Sequence, residues 1–236
     1  LNPNRTRWVE EDFNRLWAEG VLEDPKRKRT SEFLRANEVK NIVSQVDYLL
    51  DIHSMQKPCV PLMMAGMLNK GIDFARDVGM QMPIISDSGH NEGMRMRDYF
   101  GFSKKESQKN ALLVECGQHW AKSSEIVAIE TMIRFLRTTS IMDENFADDF
   151  IYKNKVLNFQ NDVYKVGKII TIKSENFKFD QDWQGFETLK KGVLIGKDDN
   201  EKVYAPFEET ILIMPSKRLF PGKTAVRLAY KLSDYY

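Results

Sequence analysis

The spacing of apolar residues changes once along this 236-residue chain, near residue 155, and that change limits the folds open to it. Before it, apolar runs that read as strands (residues 46–52, 83–87 and 111–115) alternate with segments of helical period. A helix starting near Thr30 carries Val39, Ile42, Val43 and Val46 at i, i+3, i+4 and i+7, one face of a 3.6-residue period. A second helix is predicted over 70–78. A third follows Ser123 or Ser124, either of which can cap it, with Ile126, Ile129, Ile133 and Leu136 on one face. After residue 155 only short β-like runs remain, at 163–173, 193–195, 203–204 and 210–214, separated by turn formers such as Gly192, Pro206 and Pro215. Strand–helix–strand followed by a β segment predicts an α/β domain over residues 1–154 and a small β-barrel-like domain over 155–236.

Composition excludes several classes. Apolar residues make up 42% and charged residues 29%, which suits a globular protein with a full core. Thirty-five Lys and Arg face 34 Asp and Glu, for a net charge of +1, so no overall field draws nucleic acid or an anionic membrane. No apolar run approaches the roughly 20 residues of a membrane span. Two cysteines, Cys59 and Cys116, exclude a disulfide framework and make a reducing compartment, the cytoplasm, the default. Residues 1–29 read as mostly irregular, with a short helix around 10–18 and a solvated basic cluster at 26–29. Leu1 stands where a Met would, and Leu1-Asn2-Pro3-Asn4 reads as a loop already under way, so the chain is expected to lack its natural N-terminus.

Few residues can carry chemistry. There are three histidines, His53, His90 and His119. His53, in Asp51-Ile52-His53, falls just past a strand read as buried, at the sheet edge where α/β folds place their sites. Taken alone it is a hydrogen-bonded structural residue or a ligand. Glu115 also ends an apolar strand, where a lone buried carboxylate is costly, and Gly117 lets backbone approach closely behind it. Arg7, Asn14 and Arg15 bring two guanidinium groups and a carboxamide into nine residues, enough to grip a carboxylate. Glu10, Glu11 and Asp12 between them leave a surface charge mixture as the alternative. Cys116-Gly117-Gln118-His119 allows a Cys/His nucleophile pair, or half of a zinc site whose other pair the chain lacks. The 88–93 loop, with His90 and Glu92, reads as a polar turn, and Met63, Met64 and Met67 as core filler.

In order, these pieces resemble the succinylglutamate desuccinylase/aspartoacylase family of zinc-dependent amide hydrolases, with a zinc-carboxypeptidase-like mixed sheet, flanking helices and a small C-terminal β domain. The family's Asn-Pro loop, Arg and Asp-Leu-Asn-Arg stand here as Asn2-Pro3, Arg7 and Asp12-Phe13-Asn14-Arg15. Its Asp-Leu-His stands as Asp51-Ile52-His53, and its Glu-x-Gly as Glu115-Cys116-Gly117. The resemblance implies Zn2+ bound by His53, Glu115 as general base, Arg7 facing the oxyanion, and Asn14 with Arg15 holding the substrate carboxylate. The family's other two zinc ligands lie upstream of the Asn-Pro loop, so the set here is incomplete. The implied reaction is hydrolysis of the amide bond of a small N-acyl amino acid. A zinc carboxypeptidase acting on peptides, or a non-catalytic carboxylate-binding homologue without a complete metal site, are the alternatives. A small-molecule substrate is the expected partner, with no nucleic acid and no membrane; a homo-oligomer stays open.

Overall fold

The computed structural model describes residues 8–89, 92–154 and 159–233. After a short 3-10 helix, Phe13–Arg15, come α1 (Ser31–Gln45), β1 (Tyr48–Met55), β2 (Leu62–Met64), α2 (Asn69–Val78) and β3 (Ile84–Ser86). Then follow β4 (Asn110–Gln118), α3 (Lys122–Thr138) and α4 (Asp148–Lys153). The last third is β5 (Val163–Thr171), β6 (Lys178–Phe179), β7 (Thr188–Lys190), β8 (Leu194–Asp198), β9 (Glu201–Tyr204), β10 (Glu209–Ile213) and β11 (Thr224–Lys231). Thr30 caps α1, its hydroxyl accepting from Phe33 N at 3.0 Å. Gly79, at φ 69°, ends α2 in the left-handed conformation that glycine adopts without strain.

Mixed α/β architecture is borne out. Eight strands form one sheet in the order β1-β4-β2-β3-β5-β11-β10-β7, and β6-β8-β9 form a second. The C-terminal strands join the large sheet through a parallel pairing of β3 with β5, in which Ile84 lies opposite Val163. Side-chain alternation divides the large sheet into two faces. Leu112, Val114 and Cys116 of β4 turn toward α2 and α3 and pack with Ile72, Phe74, Val127 and Phe135. Leu113 turns the other way, with Met64, Ile85, Ile211, Ile213 and Ala229. Glu115, two residues on from Leu113, falls on this second face.

Several expectations need correction. Residues 46–52 were expected to be a buried strand, but β1 is an edge strand, with Tyr48 and Ile52 44% and 45% exposed. His53 sits inside β1 rather than beyond it, because the strand runs on to Met55. The buried residues of α3 are Ser124, Val127, Glu130, Thr131, Ile133 and Phe135, so of the predicted apolar face only Ile133 is buried and Ile126, Ile129 and Leu136 are partly exposed, and Ser124 donates to Gln118 O at 2.8 Å instead of capping. In α1, Ile42 is 66% exposed while Phe33, Ala36 and Val43 are buried. Met63 and Met64 are core residues as expected, whereas Met67 is half exposed.

Candidate active site

A cavity of about 300 Å³ opens on the second face of the large sheet, over the ends of β1 and β4. It brings together residues far apart in sequence: Asn14, Arg15, His53 and Glu115 all line it. Arg7, the other residue singled out in the sequence, lies outside the described residues. β1 and β4 run parallel with His53 directly opposite Glu115, which places the imidazole and the carboxylate on neighbouring strands at matching height. Glu115 is 6% exposed. Gly117, at φ 120°, allows the close approach expected of it, because a Cβ there would lie 2.7 Å from Ser124 Oγ.

Asp51 and His53 share a strand face, two residues apart, and Asp51 Oδ1 lies 2.9 Å from His53 Nε2. Asn14, 7% exposed, ties the 3-10 helix to this pair. Its Nδ2 donates to Asp51 Oδ2 at 3.3 Å and lies 3.3 Å from His53 Nε2, while its Oδ1 accepts from Met96 N at 2.7 Å. Arg15 is anchored through Nη1, which donates to Asn14 O at 2.6 Å. On this geometry Asn14 positions the imidazole and Arg15 presents the guanidinium.

Zinc in a catalytic site takes three protein ligands and a water. Among the described residues no group of three His, Cys, Asp or Glu side chains converges as such a set requires. His53 offers one imidazole with one neighbouring carboxylate, so the described residues alone do not make up the donor set. The cysteine ideas fail on burial. Cys116 is a core residue whose thiol is pushed up to about 12 by burial and then by Glu115. Cys59 is likewise raised to about 12 by burial and Glu187. His119 faces Ser54 instead, with 2.8 Å between its Nδ1 and Ser54 Oγ. Neither thiol is a nucleophile at neutral pH.

Sequence reasoning missed the opposite wall. Arg95 and Arg227, 3% and 2% exposed, both reach Asp87 Oδ2, at 3.2 Å and 3.1 Å. Arg95 Nε also donates to Asp98 at 2.8 Å, and Arg97 Nη1 donates to Asp98 at 2.6 Å. Burial alone would raise the Asp98 carboxyl, but Arg95 and Arg97 outweigh it and hold it below the usual carboxylate range. Arg218 and Lys223 close the rim, stacked against Trp8 with 4.9 Å and 5.9 Å to its ring centre, and Lys223 pairs with Glu92. Six cationic side chains line the cavity (Arg15, Lys57, Arg95, Arg218, Lys223 and Arg227) against three carboxylates, Asp12, Glu92 and Glu115. Four of the six are matched by carboxylates, Arg95 and Arg227 by Asp87, Lys57 by Asp182 and Lys223 by Glu92.

The fold has solved counterparts. Succinylglutamate desuccinylase from Vibrio cholerae superposes with a TM-score of 0.66 at 16% identity, covering 97% of this chain and 67% of that one. Murine aminoacylase 3 gives 0.60 at 18% identity, over 98% of this chain and 82% of the other. In sequence, a succinylglutamate desuccinylase from Pseudoalteromonas atlantica is 21% identical over 94% of this chain, which spans 65% of that relative's length. No family model matches. The fold is thus that of the desuccinylase and aminoacylase structures, a mixed-sheet α/β architecture. The likeness to the succinylglutamate desuccinylase/aspartoacylase family drawn from the short motifs is borne out.

Proposed function

We propose that this cavity is the site of an N-acyl amino acid hydrolase. The observation that carries this reading is the convergence of Arg15, His53 and Glu115, from three separate parts of the chain, on one small cavity. Arg15 holds the substrate's carboxylate by charge-assisted hydrogen bonds. Glu115, beside the amide, takes a proton from the attacking water and returns it to the leaving amine. Asn14 and Asp51 hold the His53 ring in place. Zinc stays in the proposal as the ion His53 would help to hold, supplying a polarised water. No step is drawn through it, because the described residues do not complete its ligands. The cavity's size suits a small substrate rather than an extended peptide, which favours a deacylase over a carboxypeptidase.

The test is release of free amino acid from N-acyl amino acids by the protein with zinc supplied. Hydrolysis that Glu115→Gln lowers at least about 100-fold is the expected result. A second reading is a carboxylate-binding protein without hydrolysis, since among the described residues His53 has no completed donor set. It wins if the protein binds N-acyl amino acids in an Arg15-dependent way yet cleaves none.

A further inference from the structure

A carboxylate outside the cavity organises the segment that leads into Asn14 and Arg15. Glu32 stands in the first turn of α1 and is 9% exposed. Its Oε1 accepts from Val9 N at 2.5 Å, and its Oε2 accepts from Glu10 N at 3.2 Å and Glu11 N at 3.4 Å. Three consecutive backbone N–H groups thus converge on one side chain. The contact is returned from the other direction. Glu10 accepts from Ser31 N at 2.8 Å and pairs with Lys28 at 3.0 Å, while Glu11 pairs with Arg27 at 2.5 Å and accepts from the Thr30 hydroxyl. Residues 9–11 belong to no helix or strand, so groups at the start of α1 satisfy backbone that has no ladder of its own. Burial alone would raise the Glu32 carboxyl, but backbone N–H groups, that of Val9 foremost, outweigh it and hold it below the usual carboxylate range.

An acidic residue in the first turn of a helix has a simpler use, because it complements the positive end of the helix dipole. That use requires no contact with residues 9–11. What these residues join is the first wall of the cavity. Asp12, next in the chain, accepts from Asn14 N at 3.0 Å and starts the 3-10 helix that carries Asn14 and Arg15. Trp8, just before them, lies against Arg218 and Lys223 on the rim. Trp8, Asp12, Asn14 and Arg15 all line the cavity, and Glu32 stands outside it.

We propose that Glu32 is a positioning residue: it clamps residues 9–11 to α1 and through them sets where Arg15 presents its guanidinium to the ligand. This rests on reading Arg15 as the group that holds the carboxylate of an N-acyl amino acid.

Glu32→Asp separates the clamp from the helix role. It keeps a negative charge in the first turn of α1 but draws the carboxylate back by one methylene, away from the three N–H groups. Hydrogen exchange at the amides of Val9, Glu10 and Glu11 reads the clamp directly. Calorimetry of the full chain with a panel of N-acyl amino acids, N-acetylglutamate and N-acetylleucine among them, reads the grip of Arg15. Glu32→Asp is expected to speed exchange at all three amides and to weaken binding about tenfold. In an Arg15→Ala background the same change should remove no further affinity, because the two residues act through one contact. Native exchange or native affinity in Glu32→Asp overturns the proposal, as does a loss of affinity that persists undiminished in the Arg15→Ala background; the hydrolase reading survives each of these. A native chain that binds no member of the panel overturns that reading and the coupling to Arg15 with it.

Discussion

The two walls of the cavity are built differently. On one side, Asn14, Arg15, His53 and Glu115 each belong to a short motif and sit on strand ends or a single helical turn. On the other, Asp87, Arg95, Asp98, Arg227 and Thr224 belong to no motif and come from the residue after β3, a 3-10 helix at Met96–Asp98 with Arg95 at its start, and a bulged strand. On the first wall His53 and Arg15 keep 22% and 17% of their side chains exposed, while Asn14 and Glu115 are buried. The second buries its charges almost completely and balances them against one another. A wall of the first kind tolerates change in stability terms and fails in function; one of the second kind fails in folding first.

That contrast can be broken most readily at Asp87. Asp87→Ala removes the acceptor that Arg95 and Arg227 share, leaving buried guanidinium groups uncompensated. A stability loss of about 3–5 kcal/mol in urea unfolding is expected. A loss below about 1 kcal/mol would mean that this wall is wetter than its burial indicates. Arg15→Ala, on the other wall, should weaken ligand binding tenfold or more, because a charge-assisted hydrogen bond is lost, while changing unfolding stability by no more than about 1 kcal/mol.

The pH dependence of stability sharpens the comparison. The folded-state carboxyl of Asp98 is depressed by Arg95 and Arg97, so its contribution is fully present above its ordinary value of 3.8. That contribution is lost as the pH falls below this value through the folded-state one. Stability measured from pH 5 down to pH 2 should therefore fall, and Asp98→Asn should flatten that fall; an unchanged slope would exclude Asp98 as its source. The smallest effect concerns the thiols. With both raised to about 12, Cys59 and Cys116 should resist a thiol reagent at pH 8 in the folded protein and react once urea unfolds it.

How legible each wall was in the sequence follows from the same contrast. Apolar runs located β1, β3, β4, β5, β8, β9 and β10, periodicity located the three long helices, and short motifs singled out Asn14, Arg15, His53 and Glu115. What periodicity could not show was which strands lie at the edge. The apolar residues of β1 look the same whether the strand is central or, as here, half exposed. β11 went unrecognised because Arg227 interrupts its apolar pattern and the bulge at Ala225 breaks its alternation. Arginines are exposed by default, so nothing in the sequence marked Arg95, Arg97 and Arg227 as buried. Their pairing with Asp87 and Asp98 exists only once β3, the loop after it and β11 are folded together. Asn14 was expected to hold substrate, but in the structure its amide is engaged by Asp51, by Met96 and near His53. The interaction across 37 residues with Asp51 is one that no local motif encodes.

The central claim is that, on the first wall, Arg15 binds the ligand while Glu115 does the chemistry, and Glu115 is where this is most exposed to test. Steady-state kinetics of Glu115→Gln on an N-acyl amino acid, beside direct measurement of ligand affinity, separates the two roles. A fall in kcat of about 100-fold or more, with affinity kept within a few-fold, is the predicted result. An unchanged kcat, or affinity and kcat falling together, would contradict the account.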